Sequence, residues 1–458
     1  MANGMNRLRR TLGEGRVLLP GDAGFSAAKT GFNLAVQHQP VAVVLPSSAE
    51  DVAEAVRVAG AAGWPVAVQT TGHGIGVPAA GALLVNTRDL AGVAVDPIEG
   101  TATVGGGVRW RAVVEAGATY GLAPLNGTAV DVGVAGFVAG GGLPVHGSPY
   151  GYGSDHVSSF TLVTADGRVR RVDRETEEDL FWAVRGGKSN FGIITEVTIG
   201  LMPLSTIYGG TLTFPGALGP QVLAAWAEWL AAQPDEMTTA ISFSRVPDLE
   251  RVPPEMRGRH LVSVRVAYTG DAAKGEHLVA PLRALRPILD TVTARPYSRV
   301  GEIAADPTDP MPSTDSSGLM DRLDAAAMAA VLEVTGPDAA HAAATVELRA
   351  ITGRLASPGP VPSALGPVRE AGFTFWMVDL LLPGRAEEVA AGHAKTMETM
   401  APVLNGHRFP NHLSPSDRAA EVVASCYHPA DYGRLRAIKK AVDPGNTFRV
   451  NHNIPPAA

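Results

Sequence analysis

A single histidine set among small residues is the first feature with chemical meaning. It sits in Thr70-Thr71-Gly72-His73-Gly74-Ile75-Gly76, directly after the apolar run Pro65 to Gln69. Small residues on both sides leave the imidazole accessible, and successive amides in such a loop can cradle an anion. A dinucleotide fingerprint is excluded. Gly72, Gly74 and Gly76 are not spaced as G-x-G-x-x-G, and Pro78 stands where a helix would have to begin. Zinc is not indicated, because no H-E-x-x-H occurs and His73 has no partner ligand at metal spacing. On residue types alone, a nucleotide-binding loop and a plain turn both stay open.

The surroundings of this loop are rich in glycine. The chain holds 52 glycines, concentrated between Gly72 and Gly192, with triplets at Gly105–Gly107 and Gly140–Gly142. Glycine is used where φ must be positive or where something approaches the backbone closely. That half of the chain therefore reads as wrapping a large ligand.

The elements that must position the loop follow from periodicity and punctuation. Val41 to Leu45 reads as a strand, and Ser47-Ser48 followed by Glu50 and Asp51 starts a helix running to about Ala62. Val52, Val56 and Ala59 fall on its apolar face. Pro65–Gln69, Leu83–Asn86, Val93–Val95 and Thr101–Val104 read as strands, and Arg109–Tyr120 as a helix. Asp166-Gly167 between Val157–Thr164 and Val169–Val172 is a hairpin signal. A short helix over Glu177–Val184 and a strand over Ile193–Ile199 follow. After Leu204 the clustered glycines stop. Strands such as Ile207–Phe214, Leu261–Ala267 and Phe373–Leu381 then alternate with Ala-rich helices, and Asp306–Ser317 and Ala356–Pro367 read as loops.

Bulk composition narrows the function classes. With 458 residues and 45% hydrophobic content, the chain can bury more than one core. A net charge of -7 argues against a nucleic-acid binder, which carries a basic patch. The lone Cys426 excludes an internal disulfide or a multi-cysteine metal site. No secretory signal or membrane-length apolar run is read, so the expectation is a soluble cytoplasmic protein without membrane or nucleic-acid partners.

Further motifs occur in fixed order. They are Gly127-Thr128-Ala129-Val130-Asp131-Val132-Gly133-Val134-Ala135-Gly136-Phe137-Val138-Ala139-Gly140-Gly141-Gly142, then Ser154-Asp155-His156-Val157 with Val163-Thr164-Ala165-Asp166-Gly167. Arg185-Gly186-Gly187-Lys188-Ser189-Asn190-Phe191-Gly192-Ile193 and Asp443-Pro444-Gly445-Asn446-Thr447-Phe448-Arg449-Val450-Asn451 complete the series. With the His73 loop, this series resembles the flavoprotein family of vanillyl-alcohol oxidase and p-cresol methylhydroxylase, specifically its berberine-bridge-enzyme-like oxidases.

The resemblance implies an α+β chain with a bipartite FAD-binding domain of the p-cresol methylhydroxylase (PCMH) type. Its N-terminal part would cover 1–204, an inserted α+β substrate domain 205–400, and a segment returning to the FAD domain 401–458. It implies FAD bonded covalently through His73 alone, since Ala129 stands where many relatives carry a second linking Cys. Thr70, Thr71, Gly72, Gly74, Ile75 and Gly76 would hold the cofactor together with Thr128, Val132, Gly133, Gly136, Phe137, Gly141, Gly142, Ile193 and Asn451. Phe137 replaces the usual His of its motif.

The implied activity is hydride removal from an alcohol or amine carbon of a small organic substrate. Oxygen would take the electrons and yield hydrogen peroxide, and the small Val132, near where relatives control oxygen access, favours that acceptor. A flavin dehydrogenase using another acceptor and a flavoprotein with structural FAD are the alternatives. In Pro410-Asn411-His412, His412 stands where the family often has a tyrosine base, and an imidazole of ordinary pKa near 6.5 would make reduction rise with pH. Tyr150 is the other catalytic candidate, with Tyr152 and His146 as further pocket residues.

Overall fold

The fold is α+β, and the computed structural model describes all residues except Met1, Ile75, Leu249, 251–256, Ala340 and Ala342. Near the N-terminus, Ser48 caps a helix by accepting from the Asp51 amide at 3.1 Å. The helix Ala49–Ala62 stops at Gly63, whose φ of 71° suits a residue without Cβ. Its face of Val52, Val56 and Ala59 is fully buried. It packs on a four-stranded sheet ordered Val17–Leu18, Ala42–Val44, Leu83–Asn86, Val66–Gln69, parallel except for the first pair.

The second sheet is antiparallel, with Ile193–Pro203 between Thr101–Gly105 and Val157–Val163. The hairpin Val157–Val163 to Val169–Asp173 forms about Asp166-Gly167 as the dipeptide predicts. Ile193–Pro203 outruns the strand read from the sequence, because Gly200 still pairs with Thr101 and Leu201–Pro203 pairs with Leu122–Pro124.

The third sheet has eight antiparallel strands drawn from 206–380, covered by helices Gly219–Leu230, Ala272–Arg283, Ala325–Thr335 and Ala386–Met400. One expected loop is corrected here. Of Asp306–Ser317, the last residues belong to the strand Ser313–Met320, which pairs with Phe373–Leu380 at the end of the sheet. Serine and threonine are tolerated on an edge strand, and that hid it from a propensity reading.

The C-terminal segment returns to the glycine-rich half through a buried polar knot. Lys439 and Asp443 are both 0% exposed and 2.7 Å apart. Lys439 also donates to the carbonyls of Asn190 (2.6 Å) and Phe448 (3.2 Å), and the Asp443 carboxylate accepts from the amides of Thr447 and Phe448. A buried ion pair is tolerable only when its remaining donors and acceptors are satisfied, as they are here. Asn190 clasps the same segment, donating to the His452 carbonyl and accepting from the Ile454 amide. Phe448 then enters the first sheet's core and Ile454 the second's. Among the described residues, no helix is long and apolar enough to cross a membrane.

Candidate active site

The strand Val66–Gln69 delivers the histidine loop. Thr70 fixes its start by donating to the Gly106 carbonyl at 3.1 Å. Gly72 has φ 78°, and a Cβ there would overlap the backbone of Gly31. That clearance lets the Phe32 amide donate to the Thr71 carbonyl at 2.9 Å and lays the Phe32 ring flat on His73, with centroids 3.8 Å apart. His73 Nδ1 is 2.9 Å from Thr71 Oγ1, while its buried Nε2 has no partner among the described residues. Burial, aided by Arg109 and opposed by Asp131, pushes the imidazole down to about 4, so the ring is neutral at neutral pH.

The loop forms one side of a cavity of about 330 Å³. Residues Thr70–Gly74 line it together with Gly127–Ala129, Val132, Gly133, Ala135–Phe137, Ala139 and Leu143. These walls present backbone and small side chains, which suits a large planar ligand lying close to the chain. Phe137 keeps its place edge-on to Trp110 at 5.4 Å. A neighbouring depression of about 250 Å³ is lined by Arg111, Asp131, Arg299 and Glu302, but their charges are spent on one another.

The remaining wall carries reactive side chains: Lys188, Arg349, Phe409, Asn411 and His412. Asn411 fastens its turn to the glycine triplet, its Oδ1 accepting from the Gly142 amide at 2.7 Å. The approach is close enough that a Cβ on Gly140 would overlap the Asn411 amide group. His412 lies edge-on to Phe409 at 5.0 Å, its carbonyl accepts from Ser317 Oγ at 2.7 Å, and its buried Nδ1 is unpartnered among the described residues. Burial pushes His412 down to about 3, with Arg349 and Lys188 adding to the effect and Glu347 opposing it. Arg349 is ion-paired with Glu347, which also meets Arg265 at 2.8 Å. Burial works against ionisation of Glu347, yet Arg265 and Arg349 hold it down to about 2.

Lys188 is the unexpected member. Its backbone sits at φ 56°, ψ -146°, a conformation natural to glycine and strained for lysine. Its Nζ donates to the Pro410 carbonyl at 3.0 Å and to His452 Nδ1 at 3.4 Å. His452, neutral because burial pushes it down to about 3, donates its other nitrogen to the Ser414 carbonyl at 2.8 Å. Burial pushes the Lys188 ammonium down to about 8 against the pull of Cys426, Asp315 and Asp417, and Asp315 is itself lifted to about 6 by burial.

Of the residues singled out from the sequence, Thr70, Thr71, Gly72, His73, Gly74, Thr128, Val132, Gly133, Gly136, Phe137 and His412 share this cavity. Ile75 lies outside the described residues. Ile193 is not on the wall. It pairs with Val163 and faces the core, and by strand alternation its neighbour Ile194 lines the cavity instead. Gly141, Gly142 and Gly76 stand behind the wall, against Leu365 and Phe409, Phe137, and His452 respectively. Asn451 buttresses the wall through Ser189, at 3.4 Å. Tyr150 is separated from the cavity. It faces Thr269 and Glu236 and lies edge-on to His146, which is wholly buried beside Tyr297. Tyr152 is also wholly buried, under Arg369.

Lys188 and Arg349 were missed as site residues. The signal for Lys188 was a lysine inside a glycine motif. Arg349 gave no signal, because only the third sheet brings it here.

Residues 40–173 match a model described as an FAD binding domain, and residues 416–455 match one described as berberine and berberine like. The chain is 28% identical over 476 residues to an (R)-6-hydroxynicotine oxidase of Paenarthrobacter nicotinovorans, covering 97% of each chain. A 6-hydroxy-D-nicotine oxidase structure from Arthrobacter nicotinovorans superposes with a TM-score of 0.83 at 26% identity, covering 97% of this chain and 98% of that one. A chitooligosaccharide oxidase shares the fold, with a TM-score of 0.84 at 20% identity over 99% of this chain and all of that one.

Proposed function

Because the chain belongs to the berberine-bridge-enzyme-like FAD-linked oxidoreductases, we propose that it is an oxidase. It removes a hydride from the alcohol- or amine-bearing carbon of a small organic molecule, with oxygen as the acceptor and hydrogen peroxide as the product. The observation that carries this reading is that His73 and His412 line one cavity and that each holds a buried, unpartnered imidazole nitrogen, Nε2 and Nδ1 respectively. Bound there, FAD supplies the two-electron oxidation and the passage of electrons to the acceptor.

His73 is the attachment point. Its ring is neutral and clamped between Phe32 and Thr71, and Nε2 is the nitrogen left for a covalent bond to the flavin. The glycine-lined walls hold the rest of the cofactor, and the section 205–400 shapes the substrate side through Arg349.

Two groups divide the proton work. His412 Nδ1 accepts a hydrogen bond from a polar group of the substrate other than the one that loses its proton, and so orients it. With its imidazolium held down to about 3, His412 stays neutral but is a weak base at neutral pH. Lys188, held near 8, is the wall residue whose basicity suits uptake of that proton. A neutral Lys188 amine has two N–H groups, which its two acceptors occupy, leaving the lone pair free.

The deciding experiment is an anaerobic screen of alcohols, sugars and amines, including hydroxylated N-heterocycles, following flavin bleaching and then admitting air. Bleaching by a member of these classes, with prompt recolouring and one peroxide per turnover, is expected. Bleaching without recolouring in air would make the enzyme a dehydrogenase. No bleaching by any alcohol or amine would refute the substrate class.

A further inference from the structure

Away from the cavity, two imidazoles and a carboxylate from three separate segments converge. His341 lies before the strand Thr345–Ala350, Asp379 is on the strand Phe373–Leu380, and His393 is on the helix Ala386–Met400. Asp379 Oδ2 is 2.9 Å from His341 Nε2 and 3.1 Å from His393 Nε2, and the three atoms lie within 4.8 Å of one another. Asp379 and His393 are buried and His341 is half-buried.

We propose that His341, Asp379 and His393 bind one first-row transition-metal ion of the zinc class, clamping the helix Ala386–Met400 to the third sheet. Two imidazoles and one carboxylate are a ligand set for such ions rather than for magnesium or calcium, which take oxygen. Metal–ligand bonds of about 2.0–2.1 Å place tetrahedral ligand atoms roughly 3.3 Å apart, a few tenths of an ångström beyond the two spacings seen.

The outer contacts fit as well. Asp379 Oδ1 is occupied by the Ala344 amide at 2.8 Å, which leaves Oδ2 as the single ligating oxygen. His393 Nδ1 is 2.9 Å from Ser316 Oγ. Metal at Nε2 moves the imidazole proton to Nδ1, and the Ser316 hydroxyl can donate before binding and accept afterwards. No net proton need leave His393. The helix also makes room for the third ligand, since a Cβ on Gly392 would overlap the His341 ring.

The test uses the full-length flavoprotein, dialysed against EDTA and titrated calorimetrically with zinc chloride. One zinc per chain is expected, with a higher thermal midpoint that EDTA reverses and an unchanged flavin spectrum. Asp379→Asn should abolish binding. Ser316→Ala and Gly392→Ala keep all three ligands, so each should fold and weaken binding by about 10-fold or more. Absence of saturable binding would overturn the proposal and leave a purely hydrogen-bonded triad. Binding undiminished in all three variants would overturn it too, placing the ion elsewhere, such as the His407 and His428 pair with rings 6.4 Å apart.

Discussion

The two sides of the cavity are built by opposite means. The cofactor side, residues 70–74 and 127–143, is backbone and small side chains, and its main device is the absence of atoms, as at Gly72. The reactive side is made of large side chains from separate places: Arg349 from the third sheet, His412 and Asn411 from a short turn, and Lys188 from a strained loop. A surface for a large flat ligand can be written in contiguous residues, because consecutive amides and glycines create it. A proton-handling wall needs groups at chosen distances and basicities, and only the tertiary fold assembles those.

The largest effect that would break this contrast is on the cofactor side. His73→Ala should leave no flavin on the polypeptide after acid precipitation, whereas wild type and Cys426→Ser should remain yellow. Flavin freely extracted from wild type by acid would show that His73 makes no bond to it, and the cofactor side would then act by shape alone.

On the reactive side the expected effects are graded. Lys188→Met should lower the limiting rate of anaerobic flavin reduction by about 10²–10⁴-fold, the usual cost of a lost general base. In wild type that rate should rise with pH to a plateau above about 8, since the amine form must be present. The limb should vanish in Lys188→Met. His412→Gln should keep the limb and lose no more than about tenfold in kcat/KM, because a neutral hydrogen bond contributes roughly 0.5–1.5 kcal/mol. The opposite pattern would make His412 the base. Its imidazolium, held down to about 3, would give a wild-type rate flat from about pH 5 upward, and His412→Gln would then show the larger loss.

The same contrast explains what could be read in the sequence. The Ser48 cap, the Asp166-Gly167 hairpin and the His73 loop announce themselves within a few residues, and the structure has all three. Ile193 was misplaced by one residue, because alternation along a strand decides which side chain faces the cavity and a motif does not. Tyr150 follows the glycine triplet in the sequence, but the chain turns at Gly147–Gly151 and takes it toward Thr269. Arg349 and the His341–Asp379–His393 cluster depend on strand neighbours and on a helix crossing a sheet, contacts that no local spacing encodes.

The smallest effect is the most specific to this chain. Lys188 occupies φ 56°, ψ -146°, where a Cβ is disfavoured at a cost of order 1–3 kcal/mol. If that strain is retained to hold an amine at the cavity, removing the amine with and without a Cβ should separate the two contributions. Lys188→Ala and Lys188→Gly both lose the amine and the bonds to Pro410 and His452, so both should reduce flavin slowly. They differ in the backbone alone. Relief of strain favours the glycine variant, while its extra freedom when unfolded works against it by roughly 0.5–1 kcal/mol. The glycine variant should therefore be the more stable of the two, by about 0.5–2 kcal/mol once the two contributions are combined. Thermal midpoints measured on the flavin-loaded proteins give the comparison. An alanine variant as stable as the glycine one would show that the loop relaxes around Lys188, and the lysine's position would then carry no stored strain.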